Sequence, residues 1–171
     1  MSQLQLLEYQ DTWPSQFQQV AAELVAVFAA NDVALEHIGS TAVPGLCAKP
    51  VLDVLLGVSD LREAEDRQDE LAKLGYTYRP EYEDQLPERR YFVRPQSRTP
   101  RVHLHCVIRE GRHWKQHMAF RNLLRESPIV RAEYADLKRS LAIQYPENKL
   151  AYTEAKAPFI MRVLAAAPGA A

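Results

Sequence analysis

The apolar positions of the first 60 residues have helical spacing at first and strand character later. Residues 14–30 carry apolar side chains at intervals of three and four, which predicts a first helix. Residues 33–38 then favour a strand. Residues 50–58 are almost continuously apolar and β-branched, as is typical of a central strand buried on both faces. The one charged residue in that strand is Asp53.

The second half of the chain predicts a hairpin followed by helices. A polar helix capped by Ser59 or Asp60 and ending at Gly75 precedes the hairpin. The order of elements predicts an α+β domain over residues 1–171, with a mixed sheet flanked by helices and a helical C-terminal layer. The remaining predicted elements are a short strand at 76–78, a loop at 81–88, strands at 90–94 and 101–109, and helices at about 112–125, 127–145 and from Tyr152 onward.

Length and composition narrow the class of protein. The chain has 171 residues, of which 47% are hydrophobic, enough for one globular domain with its own core. No apolar stretch approaches the ~20 residues of a membrane-spanning helix, and the N-terminus lacks the pattern of a signal peptide. Two cysteines do not form a disulfide framework. We therefore expect a cytoplasmic protein without a membrane partner.

Acidic and basic residues are segregated along the chain. Residues 53–88 carry eleven acids and four bases, whereas residues 89–125 carry ten bases and one acid, a net charge of +9. Nine of those bases are arginines, whose forked donors suit phosphate or carboxylate, so an anionic ligand is expected nearby. The alternative is that the arginines pair with the acidic stretch before them. The overall pI of about 6.5 argues against a general nucleic-acid binder.

The turn after the first predicted strand has features of a phosphate site. Gly39 lets a phosphate approach the backbone, and Ser40 and Thr41 lie where a short helix can begin. Lys49 could add a positive contact, and Asp53 on the next strand could hold a magnesium ion against the same phosphate. The alternative is an ordinary tight turn in which Ser40 caps the helix.

Two histidines share one face of a predicted strand. His103 and His105 are two residues apart, so both side chains point the same way. Together with Asp53 they would suit iron, zinc, manganese or nickel better than magnesium. His37 could join this set or bind a phosphate. The alternative is that each histidine is an isolated, hydrogen-bonded residue, and we assign His113 and His117 to the surface or an interface.

The sequence resembles the GrpB family over nearly its whole length. The resemblance rests on residues 37–46, with the segment HIGSTAVPGL, and on Lys49 to Asp53; His103-Leu104-His105 and residues 120–124 fit as well. So do residues 134–138 and 152–156. It implies a fold of the nucleotidyltransferase superfamily related to polymerase β, with the site beside the Gly-Ser turn.

One departure from the superfamily pattern leaves the activity open. That pattern has two carboxylates two residues apart on the strand after the turn, and here the second position is Leu55. Two-metal phosphoryl chemistry needs carboxylates that hold both ions. The expected ligand is a nucleotide or phosphorylated small molecule, with a divalent metal ion as cofactor. Three functions remain: a nucleotidyltransferase acting on a small molecule, a catalytically reduced binding module, or a metal-dependent hydrolase using Asp53, His103 and His105.

Arginines beside the predicted hairpin are candidate anion contacts. Strand alternation puts Arg90 and Arg94 on one face and Arg89 on the other. We favour Arg90, because the matching stretch of the family usually has a basic residue just before the aromatic pair, here Tyr91-Phe92. The candidates are Arg89, Arg90, Arg94, Arg98 and Arg101.

Overall fold

A computed structural model of the protein describes residues 4–29 and 31–167. Its centre is a five-stranded mixed sheet with the order β1-β2-β5-β4-β3. The pair β2 and β5 is parallel, and the other neighbouring pairs are antiparallel. The strands are β1 (Ala34–Ile38), β2 (Val51–Val58), β3 (Thr77–Tyr78), β4 (Arg89–Arg94) and β5 (Arg101–Ile108).

Helices cover both faces of this sheet, which confirms the predicted α+β class and the helical C-terminal layer. Short 3₁₀ turns follow β1, at Ser40–Ala42, and β3, at Pro80–Tyr82. Within the described residues, no helix is both long enough and apolar enough to span a membrane. The helices are α1 (Trp13–Val27), α2 (Arg62–Glu65), α3 (Gln68–Lys73), α4 (Arg112–Glu126), α5 (Pro128–Gln144), α6 (Lys149–Glu154) and α7 (Ala157–Ala165).

The two faces of the sheet are packed differently. The face under α1, α2 and α3 holds the largest apolar cluster, in which Leu24 and Phe28 meet Val54, Leu56 and Leu104. We call this the core face. The opposite face packs against Trp114 of α4 and carries the polar residues of β2 and β5. We call it the site face.

Three predicted helices differ from those observed. The polar helix before Gly75 is divided into α2 and α3, because Arg67 leaves helical backbone angles (φ −103°, ψ 13°). The last predicted helix is divided into α6 and α7, since Pro158 fits only the first turn of a helix. The first helix ends at Val27, and the end predicted at residue 30 lies outside the described residues.

Candidate functional site

Asp53 lies directly against the Gly-Ser turn, as the sequence predicts. Gly39 has a φ of 70° and a ψ of −171°, a conformation that essentially only glycine adopts. A Cβ atom added to Gly39 would lie 2.4 Å from Oδ2 of Asp53. The antiparallel pairing of Ile38 with Asp53 produces this closeness, because the turn leaves β1 at the level of the carboxylate. A side chain at position 39 would collide with this carboxylate, so glycine is required there.

The histidine pair of β5 meets the same carboxylate from the other side. Parallel pairing sets Asp53 beside His103 and Leu55 beside His105, so alternate residues of both strands share the site face. Oδ1 of Asp53 lies 3.5 Å from Nδ1 of His103 and 3.3 Å from Nε2 of His105. The prediction that the two histidines face Asp53 is confirmed. Their roles in binding or catalysis stay predictions.

Electrostatics keep Asp53 ionised and His105 neutral. Burial acts to raise the pKa of Asp53, but hydrogen bonds and charges of His103 and His105 hold that pKa well below its usual value. Burial lowers the pKa of His105, although Asp53 acts in the opposite direction. Arg89 lies 3.4 Å from Nδ1 of His105. Because a guanidinium only donates hydrogen bonds, Nδ1 must accept this one, and Nε2 carries the proton directed at Asp53.

This donor set does not form a metal site as it stands. Among residues 4–29 and 31–167, no group of three or more His, Cys, Asp and Glu side chains is arranged to hold a metal ion. Both imidazoles are directed at one oxygen of Asp53. The position of the second carboxylate is taken by Leu55, whose side chain is fully buried. The arrangement therefore fits a hydrogen-bonded carboxylate better than a metal ligand set.

Two lysines that sequence reasoning missed lie close to Lys49 and Asp53. Lys138 of α5 is 2% exposed, and its Nζ donates to the carbonyl oxygen of Cys47. Lys156, just before α7, is half-buried. Lys49 and Lys156 lie over the ring of Tyr152, at 5.1 and 4.6 Å from its centroid. We call Lys49, Lys138 and Lys156 the lysine cluster.

The charges in the lysine cluster repel one another in a partly desolvated environment. Burial, together with the neighbouring Lys156 and Lys49, lowers the pKa of Lys138 to about 7. Burial, together with Lys49, lowers the pKa of Lys156 to about 8. Asp53 partly offsets both effects. Within the described chain, no carboxylate forms a salt bridge with Lys49 or Lys156. The cluster is thus a set of cations short of counter-charge.

A regular spacing in the sequence marks these lysines. Tyr134 precedes Lys138 by four residues, and Tyr152 precedes Lys156 by four. Residues four apart on a helix are neighbours, and a lysine can lie over the ring of the aromatic residue. Lys138 lies 5.3 Å from the ring centroid of Tyr134. Burial raises the pKa of Tyr134 and the nearby Ser40 acts to lower it, so Tyr134 lies between the lysine cluster and the Gly-Ser turn.

His37 and Thr41, two candidates from the sequence, have structural contacts instead. The ring of His37 stacks on Phe17 of α1, on the core face, with centroids 4.8 Å apart. Its Nε2 lies 2.9 Å from Oγ1 of Thr41, and that hydroxyl donates to the carbonyl of Val51. The expectation that His37 joins Asp53 is wrong. His37 pairs with Val54, the residue after Asp53, and residues adjacent along a strand point to opposite faces of the sheet. Burial lowers the pKa of His37 to about 4, so it is a neutral donor.

The choice of Arg90 as the anion contact is also wrong. Arg90 pairs with Cys106 across the β4–β5 ladder and points to the core face. Its Nε lies 2.5 Å from Glu65, and its Nη1 lies 3.6 Å from Glu83. The acidic stretch therefore neutralises it, as the alternative interpretation of the charge pattern holds. Arg89 and Arg101 point to the site face, where Arg89 contacts His105.

Of the two histidines of α4, His117 is closer to the site than expected. The rings of His117 and His105 have centroids 5.8 Å apart, and burial lowers the pKa of His117 to about 3. His117 thus lies on the side of α4 that packs against the site face. Nε2 of His113, on the same helix, lies 2.8 Å from the exposed Glu88.

Comparison with known proteins identifies the family. The model of the family described as GrpB protein matches residues 3–166. The chain belongs to the GrpB family. It is 34% identical to the UPF0157 protein BH1888 of Halalkalibacterium halodurans, over 93% of this chain and 80% of that one. It is 30% identical to the glutamate-rich protein GrpB of Alkalihalophilus pseudofirmus, over 93% and 92% of the two chains.

Other family members differ in length, and one solved structure of the family shares the fold. The chain matches only 45% of the UPF0157 protein YqkA of Bacillus subtilis, at 31% identity over 92% of its own length. The crystal structure of GrpB from Enterococcus faecalis aligns with a TM-score of 0.84 and 35% identity, over 93% of this chain and 94% of the other. A weaker likeness, with a TM-score of 0.41 and 14% identity, relates 78% of this chain to 44% of a cytoplasmic RNA terminal U-transferase.

Proposed function

We propose that this GrpB-family chain binds a phosphorylated small molecule, of the nucleotide class, with its phosphates between the Gly-Ser turn and the lysine cluster. One observation carries the proposal: Lys49 and Lys156 lie over the same Tyr152 ring, Lys138 lies close to both, and Asp53 is the carboxylate that acts on all three. Several cations gathered without matching acids favour a multiply charged anion.

The energetics support an anion at this position. Three partly buried ammonium groups repel one another, and desolvation adds to the cost of keeping them charged. A phosphate chain between them supplies negative charge and accepts charge-assisted hydrogen bonds, each contributing about 1.5–3 kcal/mol. Gly39 leaves the turn without a side chain, and Ser40 has a hydroxyl within reach of Tyr134. The ligand-free site is therefore prepared for charge neutralisation.

Calorimetric binding of ATP and of inorganic triphosphate tests the proposal. Lys156→Gln should weaken the binding of both probes at least tenfold, the equivalent of about 1.4 kcal/mol. Lys73→Gln is the matched control, because Lys73 is an exposed lysine of α3 on the core face. It should bind both probes as the wild type does. Absence of binding by the wild type, or equal loss in the two variants, would contradict the proposal.

A further inference from the structure

We propose that His103 acts as a general base in this site, removing the proton from a hydroxyl group that attacks a phosphorus atom of the bound ligand. The inference rests on the proposed function, because the phosphates must lie beside Asp53. It adds to that function an activity, the transfer of a phosphorus-containing group to water or to a small alcohol. The hydrogen bonds around Asp53 carry the argument.

The first step is the tautomer of His103. Asp53 is ionised, so both of its oxygens only accept hydrogen bonds. Oδ1 already accepts from Nε2 of His105, and it lies 3.5 Å from Nδ1 of His103. A neutral His103 in contact with this carboxylate therefore carries its proton on Nδ1, and its lone pair lies on Nε2. This is the orientation that a carboxylate imposes on a catalytic imidazole.

The second step is access. The side chain of His103 is 24% exposed, twice the 12% of His105. In the part of the chain that the structure describes, Nε2 of His103 forms no hydrogen bond. The ring is positioned by the edge of Tyr91, with centroids 5.7 Å apart. His105 cannot take the same role, since Arg89 and Asp53 occupy both of its nitrogens.

The third step is proximity to the ligand. The two oxygens of Asp53 point in different directions: Oδ1 towards the histidines and Oδ2 towards Gly39. The carboxylate of Asp53 thus lies between His103 and a phosphate at the Gly-Ser turn. The turn follows β1 and the base lies on β5, and both strands pair with β2, which carries Asp53 between them and so fixes their separation. The fully buried Leu55 supplies no second acid here, so a different proton acceptor is needed.

The reaction balances without an added redox partner. Nε2 of His103 takes the proton from the hydroxyl, and the hydroxyl oxygen forms a bond to phosphorus. The bond between phosphorus and the bridging oxygen breaks, and its electron pair stays on the departing phosphate. The lysine cluster stabilises that charge. The protonated His103 then returns its proton to the departing group or to solvent. Asp53 acts through His103 and is a positioning residue in this step.

The test combines turnover with binding. Wild-type protein with ATP, supplied as the magnesium salt in ¹⁸O-labelled water, should release phosphate or diphosphate products, followed by ³¹P NMR, with one ¹⁸O on the attacked phosphorus. General bases contribute about 10²–10⁴-fold, so His103→Gln should lose at least 100-fold in rate while its Kd for ATP changes less than threefold. His113→Gln is the matched histidine control and should keep the wild-type rate.

A second measurement is independent of any variant. Long-range ¹H–¹⁵N NMR of the ligand-free wild type should show a proton on Nδ1 of His103 and on Nε2 of His105. The opposite tautomer of His103 would overturn the inference. So would tight ATP binding with no conversion, or a His103→Gln variant as fast as wild type, and both leave the proposed function intact. Failure of the wild type to bind ATP and triphosphate rejects the proposed function and the inference together.

Discussion

Two groups of cations on opposite faces of one sheet differ in their counter-charge. On the core face, Arg90 and Arg94 each meet a carboxylate, Glu65 at 2.5 Å and Glu23 at 2.7 Å. On the site face, Lys49 and Lys156 have aromatic neighbours but no acidic partner within the described residues. Both sets are partly removed from water, so the difference lies in the counter-charge. Cations that complete the fold are neutralised within it, whereas under the proposed function the lysines on the site face are neutralised by a bound phosphate.

The same contrast holds for histidines. His37, on the core face, is fixed between Phe17 and Thr41 as a neutral donor. His103, on the site face, has one nitrogen directed at Asp53 and the other without a partner in the described chain. His37 is buried and its ring is covered by Phe17, whereas the ring of His103 is partly exposed on the site face. Burial and sheet face therefore separate these two histidines better than residue type does.

The largest expected effect comes from closing the gap between the turn and Asp53. Gly39→Ala combines a glycine-only backbone conformation with a Cβ that would lie 2.4 Å from Asp53. We expect it to lower the free energy of unfolding by about 3 kcal/mol or more, measured by urea denaturation. It should also abolish ATP binding.

Gly45→Ala is the control for strain alone. Gly45 has a φ of 78°, but no atom lies within 4 Å of an added Cβ. Its expected cost is about 1 kcal/mol, with unchanged binding. Equal losses in the two variants would show that contact with Asp53 is unimportant, and the site face would lose its defining feature.

The next effect tests whether core-face arginines are structural. The side chain of Arg94 is 6% exposed, and its guanidinium contacts Glu23, the carbonyl of Pro100 and the ring of Tyr76. Arg94→Gln should lower the free energy of unfolding by about 1–3 kcal/mol, because buried partners are left unsatisfied. Arg109→Gln, which breaks an exposed pair with Asp32, should cost about 0–1 kcal/mol. A neutral Arg94→Gln would remove the distinction between the faces.

Local sequence patterns predict the parts of the site that lie on strands. The apolar run around Asp53 identifies a central strand, and the spacing of two sets His103 and His105 on one face. The Gly39 turn follows from residue type. These signals are local and place each group on its own element, whereas the pairing of β2 with β5, which are far apart in the sequence, was expected only from the resemblance to the GrpB family.

The remaining parts depend on contacts that local patterns do not encode. Lys138 lies on α5 and Lys156 just before α7, and only the packing of the C-terminal layer brings them to Lys49. The choice between Arg89 and Arg90 depends on the β4–β5 register, because a shift of one residue exchanges the faces. The observed pairing of Tyr91 with His105 puts Arg89 on the site face. The two Tyr-to-Lys spacings of four residues were the one sequence signal for the lysine cluster.

The third prediction concerns the pH dependence of the affinity for triphosphate, with an expected change of about tenfold, or about 1.4 kcal/mol. Burial lowers the pKa of Lys138 to about 7 and of Lys156 to about 8, and phosphate should raise both again. The triphosphate affinity should therefore be highest below pH 7 and fall at least tenfold between pH 7 and pH 9, measured calorimetrically. The groups facing these amines are Lys49, Asp53 and Cys47.

The lysine cluster should have the opposite effect on the ligand-free fold. A lysine whose folded pKa is depressed binds fewer protons when folded than when unfolded. Its contribution to stability therefore rises as pH increases from about 7 towards the ordinary lysine value. Lys156→Gln should flatten both profiles. A triphosphate affinity that does not vary across pH 7–9 would show that these amines do not contact the ligand.

The smallest expected effect is that of Arg90→Gln, which should leave ATP binding unchanged. Arg90→Gln removes a cation that the sequence made the favoured anion contact, yet its guanidinium points to the core face and is neutralised by Glu65 and Glu83. We expect a stability loss of about 1 kcal/mol or less, because Glu65 is partly exposed. The Kd for ATP, measured at two salt concentrations, should match the wild type. Lys49→Gln, with the same loss of one charge on the site face, should instead weaken binding and reduce its salt dependence. The contrary outcome is that Arg90→Gln reduces the salt dependence of ATP binding as much as Lys49→Gln does. The positive potential at the site would then come from the whole basic segment, and the division of the sheet into a neutralised face and a ligand-binding face would be wrong.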